Sequence, residues 1–289
     1  MGMVIRNNID SVRTYNIYNK NTIALSNSMY KVSSGYRLNS AADGPSDLAI
    51  SEQLRGKISS NEQAQRNVQA GTNMIKTAEG ALSNIVDLLN TVRERVVNAA
   101  NDTNTSAEKG LIQTEISALL AQIDDNANVR YNNMKLLDGS WSSATGAGGA
   151  ALGTALTFQY GGEVGLKMEV HIEAMSSSGL GIDGIGTDLA AVATNSAANV
   201  TLGKIDSAIS AVLAQRTALG SIEARLGFTA DNLATENENM VASESSIRDT
   251  DMAKEMTNFM KNNVLTQASQ FMLAQAGQNA YSVLNLLQQ

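Results

Sequence analysis

Catalysis needs nucleophiles, general bases or metal ligands at defined spacings, and this chain is nearly empty of them. Its 289 residues include no cysteine and one histidine, His171. The lack of cysteine removes disulfides, thiolate zinc sites and a thiolate nucleophile together. His171 sits with Lys167 and Glu169 on the polar side of an alternating segment, a solvated position rather than a catalytic one. A His-Glu-x-x-His metallopeptidase motif needs a second histidine. The Gly-rich stretch 146–149 is not followed by the Lys-Ser or Lys-Thr of a phosphate loop. No catalytic residue, cofactor or metal is expected.

The chemistry that remains is association. From Asn262 to Gln289 the chain carries no charged side chain. Val264, Leu265, Phe271, Met272, Leu273, Val283, Leu284, Leu286 and Leu287 are interleaved there with Gln, Asn and Ser. Such a segment is too polar to span a bilayer, where each buried amide needs a partner. It is too apolar to be kept solvated by charge. Packing against further copies of similar helices satisfies it best. At the other end, Ile5, Ile9 and Val12 follow helical spacing before Asn16, Asn19 and Ser26 take over the same face. Both ends are expected to be poorly ordered in a single chain and to order on self-assembly. The expected assembly residues are Ile5, Ile9, Val12, Val264, Leu265, Phe271, Met272, Leu284 and Leu287.

Composition narrows the partners. Lys plus Arg is 21 against 28 for Asp plus Glu, a net charge of −7. An acidic chain without a basic cluster does not suit nucleic acid, which demands concentrated Lys and Arg. There is no run of apolar residues long enough for a membrane helix. The stretch MGMVIRNNIDSVRTYNIYNK has no apolar core of a signal peptide, so none is expected. Aromatics at 4% and a single proline favour long helices joined through aliphatic seams.

Those seams are explicit. Val68, Ile75, Leu82, Leu89 and Val96 recur every seventh residue, with Ala78, Ile85, Val92 and Ala99 between them. Ile205, Val212, Leu219, Leu226, Leu233, Met240 and Ile247 repeat the pattern. This spacing lays one apolar stripe along each helix, and the two stripes are expected to pack on one another as a rod. The expected rod core is Val68, Ile75, Leu82, Leu89, Val96, Val212, Leu219, Leu226 and Leu233. Gly44, Pro45 and Asp47 read as a helix start. Asn101 to Asn104 break that helix, and Thr105 with Glu108 forms a capping box for the next. Three helices are expected, at about 45–100, 105–128 and 203–247. Leu156, Phe158 and Tyr160, then Leu166, Met168, Val170 and Ile172, alternate with polar residues as a β-hairpin. The expectation is a mainly α fold, in which long heptad helices from both chain ends pack as a rod and the middle holds a small hairpin region. Residues 1–44 and 248–289 form a terminal helical domain. Residues 45–247 form a rod domain with a β-rich patch at about 139–203.

The residues at both ends then match a known family. KVSSGYRLNSAADGPSDLAIS (31–51), NVQAGTNMIKTAEGAL (67–82) and SIRDTDMAKEMTNFMKNNVLTQASQFMLAQAGQNAYSVLNLL (246–287) resemble bacterial flagellin. The hairpin segment FQYGGEVGLKMEVHIEAMSSSGLGI resembles the family's FQIG-type segment. Gly44-Pro45-Ser46-Asp47, Ser246 and the terminal Gln288-Gln289 depart from the usual pattern locally. The family's large outer domain is essentially absent. The resemblance implies a structural subunit that self-assembles into the flagellar filament for motility, outside the cell, with the terminal helices at its core. It implies secretion through the flagellar export pathway, and an export chaperone, filament cap and hook-associated proteins as partners. A hook–filament junction protein, which shares flagellin-like ends, is the alternative; the hairpin and the MAKEM segment favour flagellin. An enzyme-bearing flagellin is disfavoured by the single histidine.

Flagellins that activate Toll-like receptor 5 present a surface on the first rod helix and the one after it. The matching stretches are 88–101 and 113–116. Arg93 and Glu115 fit the pattern, whereas Thr91 stands where activating members carry Arg and Arg95 where they carry Leu. A lost bidentate donor and a charge at an apolar contact imply weak activation.

Overall fold

The computed structural model describes residues 8–142, 155–163, 165–187 and 195–287, with side chains left aside at 186–187, 195–196 and 279–287. The described elements are α1 (Ile9–Ser34), α2 (Pro45–Ala99), α3 (Ser106–Ala127), β1 (Arg130–Tyr131), β2 (Met134–Lys135), β3 (Leu156–Gln159), β4 (Lys167–Val170), α4 (Asp183–Thr187), α5 (Asn195–Arg248) and α6 (Met252–Leu287). The fold is mainly α, with two small antiparallel two-stranded sheets. The chain divides into two compact units, Met1–Ile58 with Glu238–Gln289, and Ser59–Asn237. They are called here the terminal unit and the central unit.

Helix boundaries follow local chemistry. Pro45 opens α2, where its missing N–H costs nothing, and the Leu48 amide donates to Gly44 O at 2.9 Å. α3 has a complete capping box: Glu108 Oε2 accepts from the Thr105 amide at 2.7 Å and Thr105 Oγ1 from the Glu108 amide at 3.3 Å. The Thr105 amide also holds the Glu108 carboxyl below its ordinary pKa. α5 begins eight residues before the expected start at 203. Ala198 and Thr201 extend its buried face, but the alternation of Ala, Asn and Thr around them carries little periodic signal.

One contiguous apolar core fills the central unit. All nine expected rod-core residues, Val68, Ile75, Leu82, Leu89, Val96, Val212, Leu219, Leu226 and Leu233, are buried in it. α3 contributes Ile116, Leu120 and Ile123. Full burial of one such side chain is worth about 1.5–3 kcal/mol. Ion pairs flank the seam, Lys76 with Glu223 at 3.5 Å and Arg93 with Asp206 at 2.8 Å. Partner numbers rise on α2 as they fall on α5, so the two helices run antiparallel.

The hairpin aligns Leu156 with Val170 and Phe158 with Met168, and turns these residues towards the core. Leu166 departs from the expected apolar face. It lies in the turn, largely exposed, beside Gly161. Phe158 packs against α2 at Gly71, where a Cβ would come within 3.0 Å of the ring. A second small hairpin, β1–β2, turns through Asn132 and Asn133, both at positive φ. Paired asparagines suit that turn, and this was the signal available in the sequence.

Candidate assembly surface

Both chain ends, expected to order on self-assembly, are helical over the described residues. α1 and α6 are long helices that pack antiparallel along one another. The physical reason is a seam of hydrogen bonds that an apolar pattern does not reveal. Asn21 Nδ2 donates to Ser269 Oγ at 2.7 Å and to Leu265 O at 3.3 Å. Asn262 Nδ2 donates to Ser28 Oγ at 3.2 Å, Gln270 Nε2 to the Tyr18 hydroxyl at 3.3 Å, and Asn8 Nδ2 to Ala276 O at 3.1 Å. Ser28, Thr266 and Ser269 are the buried residues of this pair, Ser269 at 7% exposure. Ser28 and Ser269 accept from Asn262 and Asn21 across the pair, and Thr266 Oγ1 donates to Asn262 O at 2.7 Å on its own helix, so each buried hydroxyl has a partner.

Several large apolar side chains point elsewhere. Ile9 is 69% exposed and Phe271 76%, with Val12, Val264, Leu265 and Met272 also exposed. Ile17, Ile23 and Met29 on α1 and Met260 on α6 are exposed as well. The fully buried residues of the pair are thus polar, with Leu25, Val32, Phe259 and Leu273 half-buried, while several large apolar side chains are exposed. Apolar surface on this scale marks an interaction site. Of the expected assembly residues, Ile5 lies outside the described residues. Leu284 and Leu287 lie on the last turns of α6, and their side chains fall outside those described.

The terminal unit also contains a polar cluster that the sequence reading missed. The Arg248 guanidinium lies 4.7 Å from the centroid of the Tyr36 ring. Its Nη1 donates to Glu52 Oε1 at 2.8 Å and to Ser51 Oγ at 3.4 Å. The bond from Arg248 holds the Glu52 carboxyl below its ordinary pKa. Arg37 donates through Nη2 to Ile247 O at 2.6 Å, and its amide donates to Arg248 O at 2.7 Å. The Thr250 amide donates to Gly35 O at 2.9 Å. Orphan carbonyls at the end of α5 are thereby paired. Tyr36, Arg37 and Arg248 all lie in the terminal motifs, but their meeting needs a partner some two hundred residues away in sequence.

The expected receptor residues are accounted for on the central unit. Thr91 is half-buried and its hydroxyl donates to Asp87 O at 3.0 Å on its own helix. Arg93 Nε donates to Asp206 Oδ1. Arg95 and Glu115 form an ion pair with Nε and Oε1 2.8 Å apart. His171 is exposed, and its carbonyl accepts from Gln215 Nε2 at 3.1 Å. Among the described residues no group of three or more His, Asp or Glu could hold a metal ion, and no helix is long and apolar enough to cross a membrane.

Two family models match, the bacterial flagellin N-terminal helical region over residues 5–142 and the C-terminal helical region over 202–287. The chain belongs to the bacterial flagellin family. As a flagellin it is a structural subunit of the flagellar filament. It is similar to a flagellin of Bacillus subtilis, 42% identical over 99% of this chain and 100% of that one. It is also similar to the flagellar filament core protein flaB2 of Brachyspira hyodysenteriae, 36% identical over the same shares. Among solved structures, FlgL of Bacillus cereus superposes with a TM-score of 0.53 at 16% identity, covering 67% of this chain and 99% of that one. That likeness speaks for the fold. Identity to flagellins over their whole length separates this chain from the junction-protein alternative.

Proposed function

We propose that the two units divide the work of the flagellin. The terminal helices, residues 1–44 and 248–289, form the filament core through Ile9, Val12, Val264, Leu265, Phe271 and Met272; Ile5, Leu284 and Leu287 are assigned to it from the sequence pattern alone. Residues 45–247 form the rod, held by the heptad seam. One observation carries the reading: the α1–α6 pair buries Ser28, Thr266 and Ser269 while Ile9, Val12, Val264, Phe271 and Met272 stay exposed. A single subunit leaves that surface in water, and neighbouring subunits bury it. Deleting 250–289 tests it. The truncated chain is expected to stay soluble, helical and monomeric, and filaments formed by it would refute the assignment.

The same surface suits an export chaperone before assembly, because an uncharged apolar helix invites premature polymerisation. Secretion through the flagellar pathway, and contact with filament cap and hook-associated proteins at the ends of the polymer, complete the reading. The chain acts without catalysis; a single exposed histidine offers neither a metal site nor a base held by a partner.

Recognition by Toll-like receptor 5 is read as weak. Glu115 is engaged by Arg95, and Arg93 by Asp206, so two of the matching groups are already paired within the subunit. Binding would have to break those pairs or bury Arg95 at an apolar contact, which is costly. Thr91→Arg with Arg95→Leu is expected to release Glu115, restore a forked donor and raise signalling in a cell reporter assay. No gain from the double substitution would overturn the reading.

A further inference from the structure

Most exposed methionines lie in the terminal unit, although Met134 of the β1–β2 hairpin is exposed in the central unit at 38% and Met240 of the terminal unit is half-buried. Met74, Met168 and Met175 are buried in the core of the central unit, Met74 at 4% exposure. In the terminal unit Met29, Met252, Met256, Met260 and Met272 are all exposed, Met260 at 60%. Met252, Met256 and Met260 follow one another at four-residue steps on α6, which sets them on one face. Val264 continues that stripe one step further and is exposed as well. The chain has no cysteine, so thioethers are its softest sulfur nucleophiles.

We propose that the Met252–Met256–Met260 face, with Met29 and Met272, is a site of reversible methionine oxidation in the unassembled subunit, and that oxidation there blocks polymerisation. The second half rests on the filament-core reading of the terminal unit. The oxidant is a two-electron peroxide, with hydrogen peroxide as the simplest member. A thioether lone pair attacks one peroxide oxygen, the O–O bond breaks and an S–O bond forms. The hydroxide released takes the proton left on that oxygen. The products are a sulfoxide and water, with sulfur oxidised by two electrons and peroxide reduced by two. The reaction needs access to sulfur, and these five residues are exposed whereas Met74, Met168 and Met175 are buried. A sulfoxide is a polar, strong hydrogen-bond acceptor. Placed on the outward apolar face, it must be desolvated for a neighbouring subunit to pack there, and it finds no donor among aliphatic groups. The α1–α6 seam, built from Asn, Ser, Thr and Gln, does not involve these thioethers and is left intact. The modified subunit thus remains folded yet fails to add to a filament, and a methionine sulfoxide reductase restores it.

The experiment treats the purified full chain with hydrogen peroxide, maps sulfoxides by peptide mass spectrometry, and then seeds polymerisation with short filaments. Sulfoxide is expected to form at least about tenfold faster at 252–260 than at Met74, Met168 and Met175. Equal rates in the two groups overturn the proposal outright, whatever the polymerisation result. Polymer yield of the oxidised chain is expected to fall by about tenfold and to recover after reductase treatment. A variant with Met29, Met252, Met256, Met260 and Met272 each replaced by Leu keeps the apolar face but cannot be oxidised there. It is expected to polymerise equally with and without peroxide. Full polymerisation of the oxidised natural chain, or equal inhibition of the leucine variant, defeats the assembly half. Failure of the untreated chain to add to seeds through this face would instead sink the filament-core reading, and with it the assembly half; the oxidation rates judge selectivity independently.

Discussion

Where α2 meets α5, the inward residues are Ile75, Leu82, Leu89, Val212 and Leu219, and the flanks carry ion pairs. Where α1 meets α6, the inward residues are Ser28, Thr266 and Ser269, and the outward ones include Ile9, Val264 and Phe271. Both are antiparallel pairs of long helices. The first is complete by itself, since dispersion and hydrophobic burial are satisfied within one subunit. The second is complete only in its hydrogen bonds. A net hydrogen bond is worth about 0.5–1.5 kcal/mol, against about 1.5–3 kcal/mol for a fully buried Leu or Phe. On the filament-core reading proposed above, the terminal pair would bury its exposed apolar side chains only against neighbouring subunits.

Crossing two substitutions between the pairs gives the largest expected effects. Leu89→Ala empties a fully buried site in the central core and is expected to cost about 2–5 kcal/mol in monomer unfolding. Phe271→Glu places a charge on an outward position and is expected to leave monomer melting nearly unchanged while abolishing polymerisation. Thermal melts followed by circular dichroism and sedimentation of seeded polymer measure both. If Phe271→Glu lowers the monomer melt as Leu89→Ala does, the outward face is not free in the monomer and the contrast fails.

A smaller effect probes the seam itself. Asn21→Ala removes the donor shared by Ser269 Oγ and Leu265 O. Leu265 O keeps the bond from Ser269 Oγ at 2.6 Å, so no acceptor is left bare. The expected loss is about 1 kcal/mol, read as faster amide hydrogen exchange in α1 and α6. Exchange in the central unit is expected to stay as it was. Uniform acceleration across the chain would mean the two pairs do not open separately.

The same contrast explains what the sequence disclosed. Heptads such as Val68 to Val96 announce α2 because an apolar stripe has one physical use, burial. The start of α2 at Pro45 and of α3 after Thr105 were legible because caps act within four residues. The terminal seam is not legible in this way, because Asn21, Ser28 and Ser269 look identical in sequence whether they face water or each other. Arg248 was overlooked for a related reason: its value comes from Tyr36 and Glu52, which only the folded chain brings to it. Asn132 and Asn133 carried a turn signal that the reading of the middle segment passed over.

The smallest effect expected is a pH dependence confined to the terminal unit. Glu52 is exposed, and its carboxyl lies below the ordinary value of 4.5, first because Arg248 donates to it. A carboxyl whose pKa is depressed by folding adds stability that is fully present above the unfolded value. That stability is lost as pH falls through the depressed folded value, because protonation is then favoured in the unfolded chain before the folded one. Between about pH 5 and pH 3 the Glu52 bond to Arg248 is expected to weaken and the guanidinium to loosen from Tyr36. Ring-proton shifts of Tyr36 report this directly. Glu52→Gln removes the titrating group and is expected to flatten that shift over the same window, while Glu108, in the capping box of α3, titrates unaffected. Because the pair is open to solvent, salt is expected to shrink the effect. A Tyr36 titration unchanged by Glu52→Gln would show that the ring senses another carboxylate.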